Sequence, residues 1–409
     1  MFVKDESVER PAQVERRSGG DRRQVFRGGR RAADLARAAA AAGVLPLAVV
    51  ASLAVPGAQA PQSRTPRDTS APTGRKAVPR TPPAAPSDSA GSTPAPAPAP
   101  VPEPAPVNLP RMRFGVPVDA LAATGSRGVD MNFGVFWTGA WTQKHGWGYA
   151  EENLEAARRQ RITPVVHWWY WGDDISPACV ERGCDDKRQG VWKDRATWYR
   201  MTRELAGTIR ETMGGAETIV IVETEFNKGG IEGYEPFDGY LLDQIVELRR
   251  VPGVKVVVGF GNWGLNNWPR FNRAAAAADY VGTQLLRSSV RDAATYQQAV
   301  DTLVSGAAHL RNTFRKPSLV IDLALSSYPS ATYEAHQAAV VTELFSRLGE
   351  LKSLGVTGIV WRAMADDPAF DTSNYHGVAE RHWGFIRADG SAKPALRPFI
   401  DGIRREGLN

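Results

Sequence analysis

The sequence predicts a single (β/α)₈ TIM barrel over residues 111–409, preceded by a basic N-terminus, an export or membrane segment and a proline-rich linker. Three observations carry that prediction. Short β-branched or apolar runs recur eight times after Arg111, each followed by a helical stretch. The runs are apolar at successive positions, as in parallel strands covered on both faces. No glycine-rich phosphate loop follows any of them, which argues against an open doubly wound sheet.

Residues 1–34 are crowded with Arg, Glu, Asp and Gly and hold almost no aliphatic run. Such a stretch cannot bury enough apolar area to offset the entropy of ordering, and disorder is expected. The chain's formal charge is +6, but much of the basic excess lies before residue 75, as in Arg27-Gly28-Gly29-Arg30-Arg31. It reads as the positive flank of an exported segment rather than as a nucleic-acid surface. The segment itself, 35–60, carries an apolar run around Ala38–Val55 and closes on Ala58-Gln59-Ala60. Small-x-small after an apolar run fits a signal peptide cleaved after Ala60, and the length also suits an uncleaved membrane anchor. In both cases the remainder is secreted or membrane-anchored outside the cytoplasm, in the periplasm or at the cell surface. Residues 61–110 are dominated by Pro, Ala, Ser and Thr and should form a polyproline-II-like spacer.

Within the barrel, strands are predicted at 112–117, 131–137, 163–169, 218–224, 254–260, 279–285, 317–323 and 357–362. Helices are predicted near 149–160, 197–213, 237–250, 268–277, 293–314, 332–353 and 394–405. The helix at 332–353 has the clearest stripe, from Val340, Val341, Leu344, Phe345, Leu348 and Leu351, with Gly355 just past its end. Cys179 and Cys184, the only cysteines, are separated by four residues and would close a small disulfide loop in an oxidising compartment. A metal site would need more ligands than the nearby His167.

Barrel chemistry gathers at strand C-termini, and these ends are unusually aromatic. Trp137 closes strand two; His167, Trp168 and Trp171 close strand three; Trp263 follows strand five; Trp361 lies on strand eight. Indole rings stack on the apolar faces of sugars, and polar side chains such as His167, Asn227, Asn262 and Gln284 would bind hydroxyls. Core packing is the competing account of the tryptophans. Strand four ends Glu223-Thr224-Glu225-Phe226-Asn227, and parity lets Glu223 and Glu225 both face the mouth. Strand seven carries Asp322 inside an apolar run. Glycosidic cleavage needs one carboxylic acid at the leaving oxygen and one carboxylate opposite, about 5–5.5 Å apart for retention and roughly 6.5–9.5 Å for inversion. Glu225 and Asp322 are the candidate pair. The acid's pKa would need raising by burial and by its neighbour.

Three segments give the domain a specific likeness. Glu225-Phe226-Asn227 supplies glutamate, any residue, asparagine after strand four; Lys316-Pro317-Ser318-Leu319-Val320-Ile321-Asp322 leads into strand seven; and Trp383-Gly384-Phe385-Ile386 is followed by Asp389-Gly390-Ser391-Ala392-Lys393-Pro394-Ala395. On these the domain resembles clan A glycoside hydrolases, and within them the β-mannanase-type family (family twenty-six). The resemblance implies a retaining glycosidase with Glu225 as acid/base and Trp361 lining the subsite at the cleavage point. It implies a polysaccharide or oligosaccharide substrate and no cofactor or metal. The chain departs from the family where Asp322 stands for the nucleophilic glutamate, Thr224 for the usual His or Asn, and Ile221 for an arginine. Three readings stay open: Asp322 acts at a rearranged distance, it holds a water for inversion, or the barrel has lost catalysis and serves carbohydrate binding or polysaccharide assembly. Glu223, Asp366 and Asp367 are spare carboxylates for the second role. No nucleic-acid partner is expected, the membrane is a partner only through an uncleaved N-terminal segment, and a monomer is the expected state.

Overall fold

A computed structural model describes residues 111–169, 195–227, 237–262, 265–288, 296–370 and 377–407. The N-terminal segments predicted over 1–110, Trp171, Trp263, Cys179 and Cys184 lie outside the described residues. Eight parallel strands close a barrel in sequence order: β1 (Arg113–Pro117), β2 (Phe133–Gly139), β3 (Thr163–Trp169), β4 (Thr218–Val222), β5 (Val254–Phe260), β6 (Tyr280–Arg287), β7 (Ser318–Leu325) and β8 (Val356–Trp361). The helices are α1 (Leu121–Gly125), α2 (Thr142–His145), α3 (Gly148–Arg159), α4 (Arg195–Met213), α5 (Phe237–Leu248), α6 (Asn272–Ala277), α7 (Ala299–Phe314), α8 (Ala331–Ser346), α9 (Leu348–Ser353) and α10 (Leu396–Arg405). None of the described helices is long and apolar enough to cross a membrane.

Strand parity divides the apolar residues into two cores. Phe133, Val135, Val165, Ile219, Ile221, Val257, Leu319, Ile321 and Val360 fill the lumen. Their neighbours, such as Phe136, Val166, Val220, Val258 and Ile359, join the larger core between sheet and helices. Each helix adds one stripe to that outer core, as α4 does with Trp198, Met201, Leu205, Ile209 and Met213 at helical spacing. Gly259 makes room inside the lumen, since a Cβ there would lie 2.7 Å from both Ile221 and Ile321.

The predicted helix over 332–353 is two helices, because Arg347 leaves the helical region at φ −104° and ψ 13°. The apolar stripe nonetheless runs on from Leu344 to Leu351. β4 ends at Val222, two residues earlier than its sequence suggests, and that early end shapes the site.

Two irregularities re-aim side chains at the strand C-termini. Thr283 pairs with Val320 but Gln284 with Asp322, and Val320 pairs with Ile359 but Leu323 with Trp361. One extra residue is thereby inserted into β7, a β-bulge of the kind that redirects side chains beside functional sites. Ile321 fills the lumen and Asp322, the next residue, also faces it. The second irregularity is the backbone after β4, where Glu223 (φ 49°) and Glu225 (φ 63°) both adopt left-handed conformations.

Candidate active site

Alternation delivers the floor of the site. On β3, His167 follows Val165 into the lumen, whereas Trp168 turns outward and Trp169, the last residue of the strand, packs partly against the outer core. On β8, Arg362 continues the inward row of Gly358 and Val360, and Trp361 turns outward. Trp137, at the end of β2, stacks on His167 with ring centroids 4.1 Å apart and planes at 10°. Trp169 meets Trp137 edge-on at 5.4 Å. The Arg362 guanidinium lies 4.8 Å from the Trp137 ring and 5.0 Å from that of Trp383.

The two candidate carboxylates enter from the end of β4 and from β7. Glu225, 7 % exposed, accepts a hydrogen bond from Gln284 Nε2 at 2.5 Å. Asp322, 2 % exposed, accepts one from Arg362 Nη1 at 2.5 Å. Burial pushes the Asp322 carboxyl up to about 6; the Arg362 charge opposes that shift and the Glu225 charge adds to it. Gln284 bridges the pair, bonding Glu225 by its side chain and standing in register with Asp322 in the sheet. Burial and the Arg362 charge hold His167 down to about 3, so its ring is neutral at physiological pH. The hydroxyl of Thr224, standing where the resemblance expects His or Asn, lies 2.7 Å from His167 Nδ1.

Several expected roles are corrected. Trp168 and Trp361 offer no face to a sugar. Trp168 is wholly buried beside Trp147, and Trp361 packs edge-on against Phe385 and Phe399 in the outer core. Asn227 uses both ends of its amide on the backbone of Gly261, donating to its carbonyl at 3.0 Å and accepting from its N–H at 2.7 Å, which clips the β4 turn to β5. Gln284 holds a carboxylate rather than standing free for a hydroxyl. Asn262 lies half-buried just past β5.

Glu223 is not a spare carboxylate at the mouth. Its left-handed backbone breaks the strand's alternation and sends the carboxylate outward to Trp198 and Gln244. Asp366 is paired with Lys393, and Asp367 caps the backbone of Ala369. Arg362, Trp169, Trp383 and the buried Glu380, whose charge raises Arg362, had no role assigned from sequence. The alternation set by Gly358 and Val360 was the signal for Arg362. Among the described residues no cluster of His, Cys, Asp and Glu is arranged to hold a metal ion.

No protein-family model matches the chain, and no curated protein sequence matches it. Solved structures do. An exo-β-1,4-mannosidase from Opitutaceae bacterium strain TAV5 is similar with a TM-score of 0.51 at 16% identity, covering 71% of this chain and 54% of that one. The chain shares the barrel fold of that enzyme. A GH5_18 glycoside hydrolase from Bifidobacterium longum is similar with a TM-score of 0.54 at 14% identity, covering 72% of this chain and 79% of that one. A GH26 β-mannanase from Bacteroides ovatus is similar with a TM-score of 0.50 at 12% identity, covering 72% and 89%. The chain spans about half the length of the mannosidase. The likeness drawn from the sequence motifs thus extends to the barrel itself.

Proposed function

We propose that the barrel is a glycoside hydrolase that cleaves a polysaccharide or oligosaccharide with Glu225 as general acid and Asp322 as the opposing carboxylate. One observation carries this reading: both carboxyls are held at the C-terminal end of one lumen, Glu225 by Gln284 and Asp322 by Arg362. Glu225 protonates the glycosidic oxygen as its bond to the anomeric carbon breaks. Asp322 acts from the other side of the sugar, on carbon directly or through a water, and the anomer first released distinguishes the two. Asp322 is ionised above about pH 6. Arg362 favours that ionised form and fixes its direction. Trp137, half-buried at the end of β2 with His167 stacked on its ring, stands beside the Arg362–Asp322 pair.

The mannosidase and the mannanase of similar fold support β-1,4-mannosides as the first substrates to assay. The arginine flank, the apolar run within 35–60 and the proline-rich 61–110 support placement of the barrel outside the cytoplasm, secreted or tethered.

The test compares the parent with Glu225→Gln on β-1,4-mannan oligosaccharides, following turnover and, by calorimetry, binding. The parent is expected to hydrolyse them. The variant should lose at least about 100-fold in kcat while still binding. A parent that binds β-linked oligosaccharides without cleaving any would make the protein a carbohydrate-binding or polysaccharide-assembly factor instead.

A further inference from the structure

We propose that Glu223, which the reaction above does not use, is a positioning residue that sets the aim of Glu225 by tying the turn after β4 to the helical shell. The proposal rests on the reading of Glu225 as the general acid.

Glu223 is fully buried on the side of the sheet away from the lumen. Its Oε1 accepts hydrogen bonds from Trp198 Nε1 on α4 at 2.5 Å and from Gln244 Nε2 on α5 at 3.2 Å. One carboxylate therefore stitches the strand end to two separate helices. Both donors are held firmly: Trp198 and Gln244 are themselves completely buried, and Trp198 stacks on Phe237 at 5.8 Å.

The backbone explains what the stitch is for. Glu223 and Glu225 occupy left-handed conformations that residues with a Cβ rarely adopt, and such strain persists only where surrounding contacts over-determine it. Backbone hydrogen bonds hold this turn. Glu223 N–H donates to Trp168 O at 2.8 Å, Phe226 N–H to Glu223 O at 2.9 Å, and Glu225 N–H to Gly259 O at 3.3 Å. The Glu223 carboxylate adds directed hydrogen bonds to two helices, beside the stacking of Phe226 on Phe237 of α5. Its removal frees the turn to relax toward ordinary strand geometry, which would swing Glu225 away from Gln284.

A stabilising role alone would not call for a carboxylate here. Burying a charge is costly, and a well-packed apolar side chain usually serves stability as well or better. Positioning does call for one, because two directed hydrogen bonds fix orientation where an apolar contact fixes only volume.

The experiment uses the full chain and three variants: Glu223→Met, which removes the acceptor at similar volume; Glu223→Gln, which keeps an oxygen for Trp198; and Trp198→Phe, which removes the donor from the helix side. With folded fraction measured by circular dichroism, Glu223→Met and Trp198→Phe should each lower kcat about 100-fold while KM stays within about threefold. Glu223→Gln should remain within about tenfold of the parent, and the Met/Phe double variant should be no slower than either single variant. If Glu223→Met does not fold, Trp198→Phe reads the same bond. Parent-like kcat per folded molecule in these variants overturns the proposal. A parent that cleaves no substrate defeats the glycosidase reading separately. The crystal structure of Glu223→Met, or of Trp198→Phe, then decides the positioning claim: a Glu225 carboxylate displaced from Gln284 supports it, and an unmoved one overturns it.

Discussion

Asp322 and His167 share one lumen and one cationic neighbour, Arg362, yet burial moves them in opposite directions. Burial disfavours charge, so it raises an acid and lowers a base. For Asp322 the folded carboxyl titrates near 6, above an ordinary value of 3.8. The native state therefore holds the proton more tightly than the unfolded chain. Its contribution to stability is complete below about pH 4 and is lost as pH rises toward 6. His167, lowered to about 3 from 6.5, has the contrary sign, and its contribution above pH 6.5 is lost as pH falls toward 3. Urea denaturation of the parent and of Asp322→Asn at pH 4, 5, 6 and 7 separates them, because the histidine is common to both. The parent should lose stability relative to the variant as pH rises through this window. A difference that stays flat with pH would contradict a raised Asp322.

At the scale of the element, β8 shows how alternation assigns roles. Trp361 packs into the outer core, while Arg362, the next residue, enters the site. Trp361→Phe should cost stability, about 1–3 kcal/mol in denaturant, and leave KM unchanged. A raised KM at undiminished stability would restore Trp361 to the sugar-binding surface. All eight strands, and the apolar stripes of the helices over 197–213 and 332–353, were legible in the sequence because periodicity is a local property. The same rule applied strictly distinguishes His167 from Trp168 and Arg362 from Trp361. It fails where backbone geometry interrupts it. The β7 bulge turns Asp322 into the lumen beside Ile321, and the left-handed turn after β4 turns Glu223 out of it. Both depend on neighbouring strands and helices that no window of sequence contains.

At the scale of the molecule, a buried cation near the C-terminus ties separate loops together. Lys393 Nζ donates to Asp366 at 2.6 Å, to Ser327 at 2.8 Å and to the carbonyl of Gly384 at 2.9 Å, joining the loops after β7 and β8 to the approach to α10. Burial lowers the lysine and raises the aspartate, and each is held charged by the other. Lys393→Met should destabilise the barrel by about 3–5 kcal/mol, since it leaves Asp366 largely buried with only the Gly384 N–H and His382 beside it. A loss below about 1 kcal/mol in urea denaturation would show that the pair is dispensable to the fold.

What the sequence determined by itself was the parallel barrel, the strand ends at which chemistry gathers, and Glu225 and Asp322 as its acidic candidates. Each follows from local spacing of apolar and polar residues. Tertiary structure alone decided that Asp322 turns into the lumen to pair with Arg362, and that Glu223 looks outward to the helices. Those outcomes turn on an inserted residue and a left-handed turn, whose conformations are stabilised by contacts between segments far apart in the chain.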